Sequence, residues 1–147
     1  GVVVIDSLVY AVGGCGGDGE ELDYQHCKAL DVVEMYNPDE KQWTSLGAML
    51  TPRHGFATGL FDTQMILAGG SQADGIDAAH AQTNLSTTID SYDQAGDKWY
   101  TINTMPDPRD GLMKGYGLVV GTSMFLISGS TVEEDYVNTN EMMGLRC

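Results

Sequence analysis

The sequence lacks the features that would direct it to a membrane or a nucleic acid. No apolar run approaches the roughly 20 residues that a membrane helix needs. The opening segment GVVVIDSLVYAVGG has neither the basic region nor the cleavage site of a signal peptide. Basic residues are scarce, with 7 Lys and Arg against 21 Asp and Glu, and the resulting charge of −14 repels phosphate backbones and anionic lipids. We therefore expect no nucleic acid and no membrane as a partner.

Cysteine is equally sparse. Cys15, Cys27 and Cys147 form an odd set without the spacings of a disulfide framework, so we expect structural or free thiols in a reducing, cytoplasmic compartment. His26 and Cys27 lie near Cys15 and several carboxylates, but two adjacent ligands chelate zinc poorly and no C-x-x-C is present. The run Asp18-Gly19-Glu20 also lacks the spacing of a calcium loop. We expect no bound metal and no cofactor.

The sequence is rich in glycine and in residues that recur with one period. The 19 glycines indicate many turns, and 42% hydrophobic residues with 19% charged residues are typical of a folded globular protein. Trp43 and Trp99 lie 56 residues apart. The same separation joins Tyr36 to Tyr92, Met49 to Met105, Arg53 to Arg109, Gly55 to Gly111, and Gly13-Gly14 to Gly69-Gly70. A fixed period of this size indicates a repeat architecture.

Each unit is predicted to contain four short strands, A to D, because apolar and β-branched runs alternate with turn residues and no helical period is present. Strand A is predicted at Val2–Ile5, Gly55–Phe61 and Gly115–Val120. Strand B is predicted at Val9–Val12, Met65–Ala68 and Met124–Ile127. Strand C is predicted at Val32–Tyr36, Thr88–Tyr92 and Asn138–Met142. Strand D is predicted at Trp43–Leu46 and Lys98–Ile102.

These landmarks resemble the kelch repeat. The first unit carries the strings LVYAVGG and VVEMYNP, followed by Trp43, Met49 and Arg53. The second unit repeats them as MILAGG and TTIDSYD, followed by Trp99, Met105 and Arg109. The third unit departs from the pattern, since Ser128-Gly129-Ser130 replaces the glycine pair and Met143 stands where the strand-C tyrosine is expected.

The resemblance implies an all-β fold, a fragment of a kelch β-propeller with about two and a half four-stranded antiparallel blades. Blade 1 is assigned to residues 1–52, without the start of strand A, blade 2 to 53–108 and a partial blade 3 to 109–147. Propellers close with about four to eight blades, so the remaining blades are expected from the same polypeptide. Structural roles are expected for the glycine pairs, which tolerate positive φ, and for the aromatic residues, which cover area between blades: Gly13, Gly14, Tyr36, Trp43, Gly69, Gly70, Tyr92 and Trp99.

Loop length distinguishes the two ends of a blade. The A–B turns are about two residues long, whereas the predicted B–C segments Cys15–Asp31 and Ser71–Thr87 have 17 residues each. Loops of that length are usually functional or disordered, and the B–C and D–A connections of an antiparallel blade share one end. We expect a partner to bind there. The candidate contact residues are Asp18, Glu20, Glu21, Asp23, Tyr24, Arg53, His54, Asp74, Asp77, His80, Arg109, Asp110, Glu133, Glu134 and Asp135.

Two of these sets have alternative interpretations. The acidic residues either form a solvated rim that keeps the protein soluble or steer a basic partner. Arg53 and Arg109 belong to the repeat pattern, so they either anchor the D–A linker or use their planar fork to bind a carboxylate.

The expected function is protein–protein recognition rather than catalysis. Two family roles are implied by the resemblance: a substrate receptor of a cullin-based ubiquitin ligase, with a BTB domain upstream, or an actin-binding protein of the scruin type. The sequence contains no G-x-S-x-G elbow, no phosphate-binding glycine loop and no suitably spaced carboxylate pair. A copper site of the galactose oxidase type cannot be assembled either, so we expect no enzyme.

Overall fold

The computed structural model describes residues 1–17, 28–72, 84–108, 117–127 and 140–145, and these ranges contain strands and no helix. Each sheet is an antiparallel meander, and we call the three sheets blades 1, 2 and 3. Blade 1 consists of β1 (Val2–Ile5), β2 (Leu8–Gly16), β3 (Lys28–Asn37) and β4 (Gln42–Ser45). Blade 2 consists of β5 (Ala57–Phe61), β6 (Gln64–Ala68), β7 (Thr88–Asp93) and β8 (Lys98–Thr104). Blade 3 consists of β9 (Gly117–Val120), β10 (Ser123–Ile127) and β11 (Asn140–Gly144). The predicted all-β class and antiparallel four-stranded blades are confirmed.

The A–B turn of blade 1 follows from its two central residues. Asp6 and Ser7 have φ angles of 49° and 68°, and Ile5 pairs with Leu8 across them. Two consecutive residues with positive φ produce the turn whose twist matches that of the flanking strands. The turn therefore closes the hairpin with no extra loop residue.

The blades pack face to face through alternating side chains. Met65 and Leu67 of β6 belong to a buried cluster shared with blade 1, whereas Ile66 and Ala68 belong to a second cluster shared with blade 3. Successive residues of a strand point to opposite faces of the sheet. Because both faces of β6 are covered by a neighbouring blade, all four side chains are fully buried. Strand β5 contacts both β1 and β9, so these three strands lie at the inner side of the blade array.

The Tyr–Trp pair lies on the same face of blades 1 and 2, and in blade 2 this face packs against blade 1. Tyr92 and Trp99 lie with ring centroids 5.0 Å apart and are packed against blade 1, which leaves Trp99 only 6% exposed. Tyr36 and Trp43 repeat that geometry at 5.1 Å, but Trp43 is 51% exposed. The difference lies in the covering blade and not in the pair itself. The exposed flank of blade 1 also carries Val2 and Val4.

The first glycine pair bends a strand that the sequence predicted to end. Strand B was expected to stop at Val12, but β2 continues to Gly16 and pairs with the first residues of β3 after a register shift between Val12 and Gly14. Gly13 has a φ of +47°, and a Cβ there would lie 2.9 Å from the carbonyl oxygen of Arg53. The first B–C connection is consequently shorter than expected and spans 17–27.

Blade 2 follows the prediction more closely at the same position. Strand β6 ends at Ala68, as predicted, and Gly69 and Gly70 follow it with φ angles of 70° and 92°. Strand β5 begins at Ala57 rather than Gly55, because Gly55 has a φ of 69° and His54 already forms an isolated bridge with Ser71.

Candidate partner-binding face

The strand residues that border the B–C connections of blades 1 and 2 lie at one end of these blades, which we call the loop end, together with residues 49–54 of the linker between the blades. The main chain of Arg53, in the linker between the blades, is bonded to both strands at the base of the first connection. Its N–H donates to the carbonyl of Leu30 in β3 at 3.0 Å, and its own carbonyl accepts the N–H of Gly14 in β2 at 3.0 Å. The linker is thereby fixed to blade 1.

The side chain of Arg53 enters blade 2. Nη1 donates to the carbonyl of Gly69 at 3.2 Å, to Oγ of Ser86 at 3.2 Å and to Oγ1 of Thr88 at 3.0 Å. Nη2 forms an ion pair with Asp90, whereas Nε has no hydrogen-bond partner among the residues that the structure describes. Burial lowers the pKa of the guanidinium to about 10, so it remains charged at neutral pH.

Asp90 balances this buried charge. Its Oδ1 accepts a hydrogen bond from Thr101 at 2.7 Å, and its Oδ2 accepts one from Thr88 at 3.2 Å in addition to the ion pair with Arg53. Asp90 and Arg53 are both buried, and a buried charge is tolerated only when it is paired and hydrogen-bonded. The two residues therefore depend on each other.

His54 extends the link to the second B–C connection. Its N–H donates to the carbonyl of Ser71 at 3.0 Å, and its carbonyl accepts the Ser71 N–H at 2.9 Å. Ser71 in turn bridges to Leu85 on the far side of that connection. Arg53 is completely buried and His54 almost completely. Of the two interpretations of Arg53, its contacts therefore fit the linker anchor.

Among the described residues, the exposed side chains at the loop end include three that the sequence did not single out. Leu50 in the D–A linker is 52% exposed, and Pro52, two residues further on, and the first residue of β3, Lys28, are also exposed. Leu50 lies between Met49, whose N–H donates to the carbonyl of Asp31, and the anchored Arg53. The signal was available in the string AMLTPR, where an apolar residue stands two positions before a proline in a linker.

Most of the candidate contact residues fall outside the described ranges. In the first two B–C connections these are Asp18, Glu20, Glu21, Asp23, Tyr24, Asp74, Asp77 and His80. In the segments beside blade 3 they are Arg109, Asp110, Glu133, Glu134 and Asp135.

The opposite end of the blades, the turn end, holds a second junction. The turn between β7 and β8 contains Asp97, whose Oδ1 accepts the phenol of Tyr92 at 2.6 Å and the N–H of Gly47 at 2.7 Å. The indole of Trp99 donates to the carbonyl of Gly47 at 3.1 Å. The hydrogen bonds that Asp97 accepts from Tyr92 and from Gly47 lower its pKa. Burial, followed by the bond to Asp97, raises the pKa of Tyr92.

Cys15 differs from the thiol expected from the sequence. It lies in β2 and forms a disulfide, so its sulfur is not a thiolate available to a metal ion. The other two cysteines lie outside the described residues. Among the described residues, no group of three or more His, Cys, Asp or Glu side chains is placed to hold a metal ion.

The comparisons with known proteins agree with the repeat. The family model for the kelch motif matches residues 1–50. Kelch-like protein 41b of Danio rerio is 32% identical over 134 residues, which cover 90% of this chain and 19% of the relative. The chain belongs to the kelch-repeat family. Alpha-scruin of Limulus polyphemus is 30% identical over 108 residues, or 74% of this chain and 11% of the relative.

The fold comparison extends over nearly the whole kelch chain. The solved structure of YjhT matches with a TM-score of 0.77 and 17% identity, over 98% of this chain and 48% of YjhT. The chain thus spans under a fifth of the two curated relatives and about half of YjhT. No helix in the described ranges is long and apolar enough to cross a membrane.

Proposed function

We propose that this kelch chain is a protein-interaction module and that its partner binds at the loop end of the blades. The observation that carries the proposal is the anchoring of the D–A linker by Arg53 to both adjacent B–C connections. A surface that is held rigidly at its base loses little entropy on binding. The exposed Leu50 adds apolar area at that end, and apolar anchors in a polar surround are typical of recognition surfaces.

The partner's chemistry follows from charge. The chain carries a formal net charge of −14 at pH 7, and the predicted B–C segments contribute several of its acidic residues. A positively charged protein surface would be attracted over distances of about 8 Å at physiological ionic strength. We therefore propose a basic protein surface as the partner, and a binding role rather than an enzymatic one.

Two variants of the intact protein test the location of binding. Leu50→Glu places a charge at the loop end, and Tyr100→Glu places one on the outer strand β8, where Tyr100 is 51% exposed against 52% for Leu50. Quantitative affinity capture from cell extract should lose the specific partners with Leu50→Glu and keep them with Tyr100→Glu. Loss with Tyr100→Glu alone, or no loss with either variant, would contradict the proposed location.

Two partner classes are separable by experiment. The kelch resemblance implies either an actin-binding role of the scruin type or a ubiquitin-ligase receptor role, and this chain is 30% identical to alpha-scruin and 32% identical to kelch-like protein 41b. Co-sedimentation of the intact protein with purified actin filaments tests the first, and co-purification with a cullin tests the second. Because actin is itself acidic, co-sedimentation with it would require contacts outside the acidic segments and would contradict a basic partner. Absence of both interactions would leave the basic partner to be found among other proteins.

We propose the cytoplasm as the compartment; the disulfide at Cys15 argues against it and provides the test. Disulfides are rare in the cytosol because glutathione and thioredoxin keep thiols reduced. Trapping thiols with an alkylating reagent at the moment of cell lysis reports the state of Cys15 in the cell. A reduced Cys15 fits the cytoplasm, whereas an oxidised one places the chain in an oxidising compartment.

A further inference from the structure

Arg53 lies where four chain segments meet. From blade 1 come Gly14 and Leu30, which stand on the two sides of the first B–C connection and bond to the Arg53 main chain. From blade 2 come Gly69 and Ser86, which stand on the two sides of the second connection and bond to its guanidinium. One residue therefore touches both bases of both connections.

We propose that Arg53 is a positioning residue that couples local opening at the bases of the two B–C connections, so that Gly14 and Leu30 open together with Gly69 and Ser86. A partner that stabilises one base then also stabilises the other. The inference rests on the proposed function, because it concerns how that same loop end recognises its partner. It assigns Arg53 no contact with the partner, in keeping with its complete burial.

The geometry of the guanidinium explains why arginine suits this position. Nη1 is shared by Gly69, Ser86 and Thr88 while Nη2 pairs with Asp90. A planar group with fixed donor directions can satisfy several acceptors at once, whereas the ammonium of lysine is a single point charge. Hydrogen bonds in such a buried site are stronger than in water, so distorting one disturbs its neighbours.

The backbone bonds beside Arg53 supply local reporters. The amide of Gly14 donates to Arg53 and reports on the first connection, and the amide of Ser86 donates to the carbonyl of Gly70 at 2.8 Å and reports on the second. Amides of β6, in the buried centre of blade 2, report on global unfolding. Native-state hydrogen exchange resolves local opening from global opening.

The first measurement uses the intact protein without substitution. At low denaturant, the amides of Gly14 and Ser86 should share one opening reaction that lies below the global opening seen at β6. Two separate openings for Gly14 and Ser86 would overturn the proposal.

The second measurement compares variants. Arg53→Lys keeps the charge but loses the fork, and Asp90→Asn keeps the acceptor for Thr101 but removes the ion pair. Each should lower the protection of both reporter amides by about tenfold or more. Tyr92→Phe is the control, since it breaks a bond at the turn end of the same blade interface. It should leave the protection of both reporter amides unchanged, even where the protection of the β6 amides falls with global stability.

The outcomes are distinct. Loss of protection at Ser86 with Gly14 unchanged would make Arg53 a local anchor of blade 2 and overturn the coupling. An equal effect of Tyr92→Phe would show a general loss of stability and also overturn it. Should neither loop-end variant fold, the measurement on the unsubstituted protein decides. No partner is present in these experiments, so failure of the proposed binding function would leave their result unaffected.

Discussion

The carboxylate of Asp97 in blade 2 accepts the backbone N–H of Gly47 in the linker that leaves blade 1, at 2.7 Å. The same oxygen accepts the phenol of Tyr92 at 2.6 Å. This contact joins the blades at the turn end, as Arg53 does at the loop end. The acceptor, the carboxylate of Asp97, is charged and open to solvent, so we expect this junction to respond to pH.

Acid should weaken the turn-end junction. The bonds from Tyr92 and Gly47 hold the pKa of Asp97 below its ordinary value, so the folded state binds the proton less well than the unfolded state. The stabilisation is present above the unfolded pKa of about 4 and is lost as the pH falls through the lower folded value. The melting temperature of the unsubstituted protein should therefore fall below about pH 4 more steeply than that of Asp97→Asn. Parallel profiles would contradict this.

Alkali should act on the same junction through Tyr92. Its raised pKa means that the folded state keeps the phenolic proton more tightly than the unfolded state does. The stabilisation is complete below the unfolded pKa of about 10 and is lost as the pH rises from there towards the folded value. Tyr92→Phe should lose about 1 kcal/mol at neutral pH and show a flatter profile above about pH 10 in urea unfolding. An unchanged alkaline slope would show that Tyr92 does not titrate with unfolding.

The two tryptophans form a matched pair for measuring the blade interface. Trp99 is packed against blade 1, whereas Trp43 has the same intrablade contact with its tyrosine but lies open. In the 147-residue chain, Trp99→Ala should lower the free energy of unfolding by about 3–5 kcal/mol, and Trp43→Ala by clearly less. Denaturant titration measures both. Equal losses would mean that Trp43 is covered in solution.

Gly13 should tolerate no side chain. Its φ of +47° is unfavourable for other residues, and an added Cβ would meet the Arg53 carbonyl oxygen at 2.9 Å and the Met49 side chain at 2.7 Å. We expect Gly13→Ala to cost about 1–3 kcal/mol. Gly17→Ala is the control, because nothing lies within 4 Å of its added Cβ. A Gly13→Ala variant as stable as the control would exclude this packing.

The disulfide at Cys15 predicts a thiol count. With three cysteines in the chain and Cys15 oxidised, one intramolecular disulfide leaves one thiol. Titration of the purified, denatured, unreduced monomer should therefore give about one thiol per chain, and peptide mapping should identify the partner as Cys27 or Cys147. Three titratable thiols would exclude the disulfide in solution.

The sequence predicted the repeat well because the repeat depends on local chemistry. The turn at Asp6 and Ser7, the apolar run Met65–Ala68 and the aromatic pairs are visible in residue types and spacings alone. The glycine pair at Gly13 was misread as a strand end, because glycine permits a bend as well as a stop. Which of the two occurs depends on the pairing with β3.

The sequence by itself determined that this chain is a kelch-type all-β protein, since a period of 56 residues in Trp, Tyr and Gly-Gly is written in the chain. Only the tertiary structure decided what Arg53 does. Its partners Gly69, Ser86 and Asp90 lie 16 to 37 residues further along the chain, and no local pattern specifies a contact at that distance. The contact exists because two separately formed sheets pack together and bury a charge that only Asp90 is placed to neutralise among the described residues.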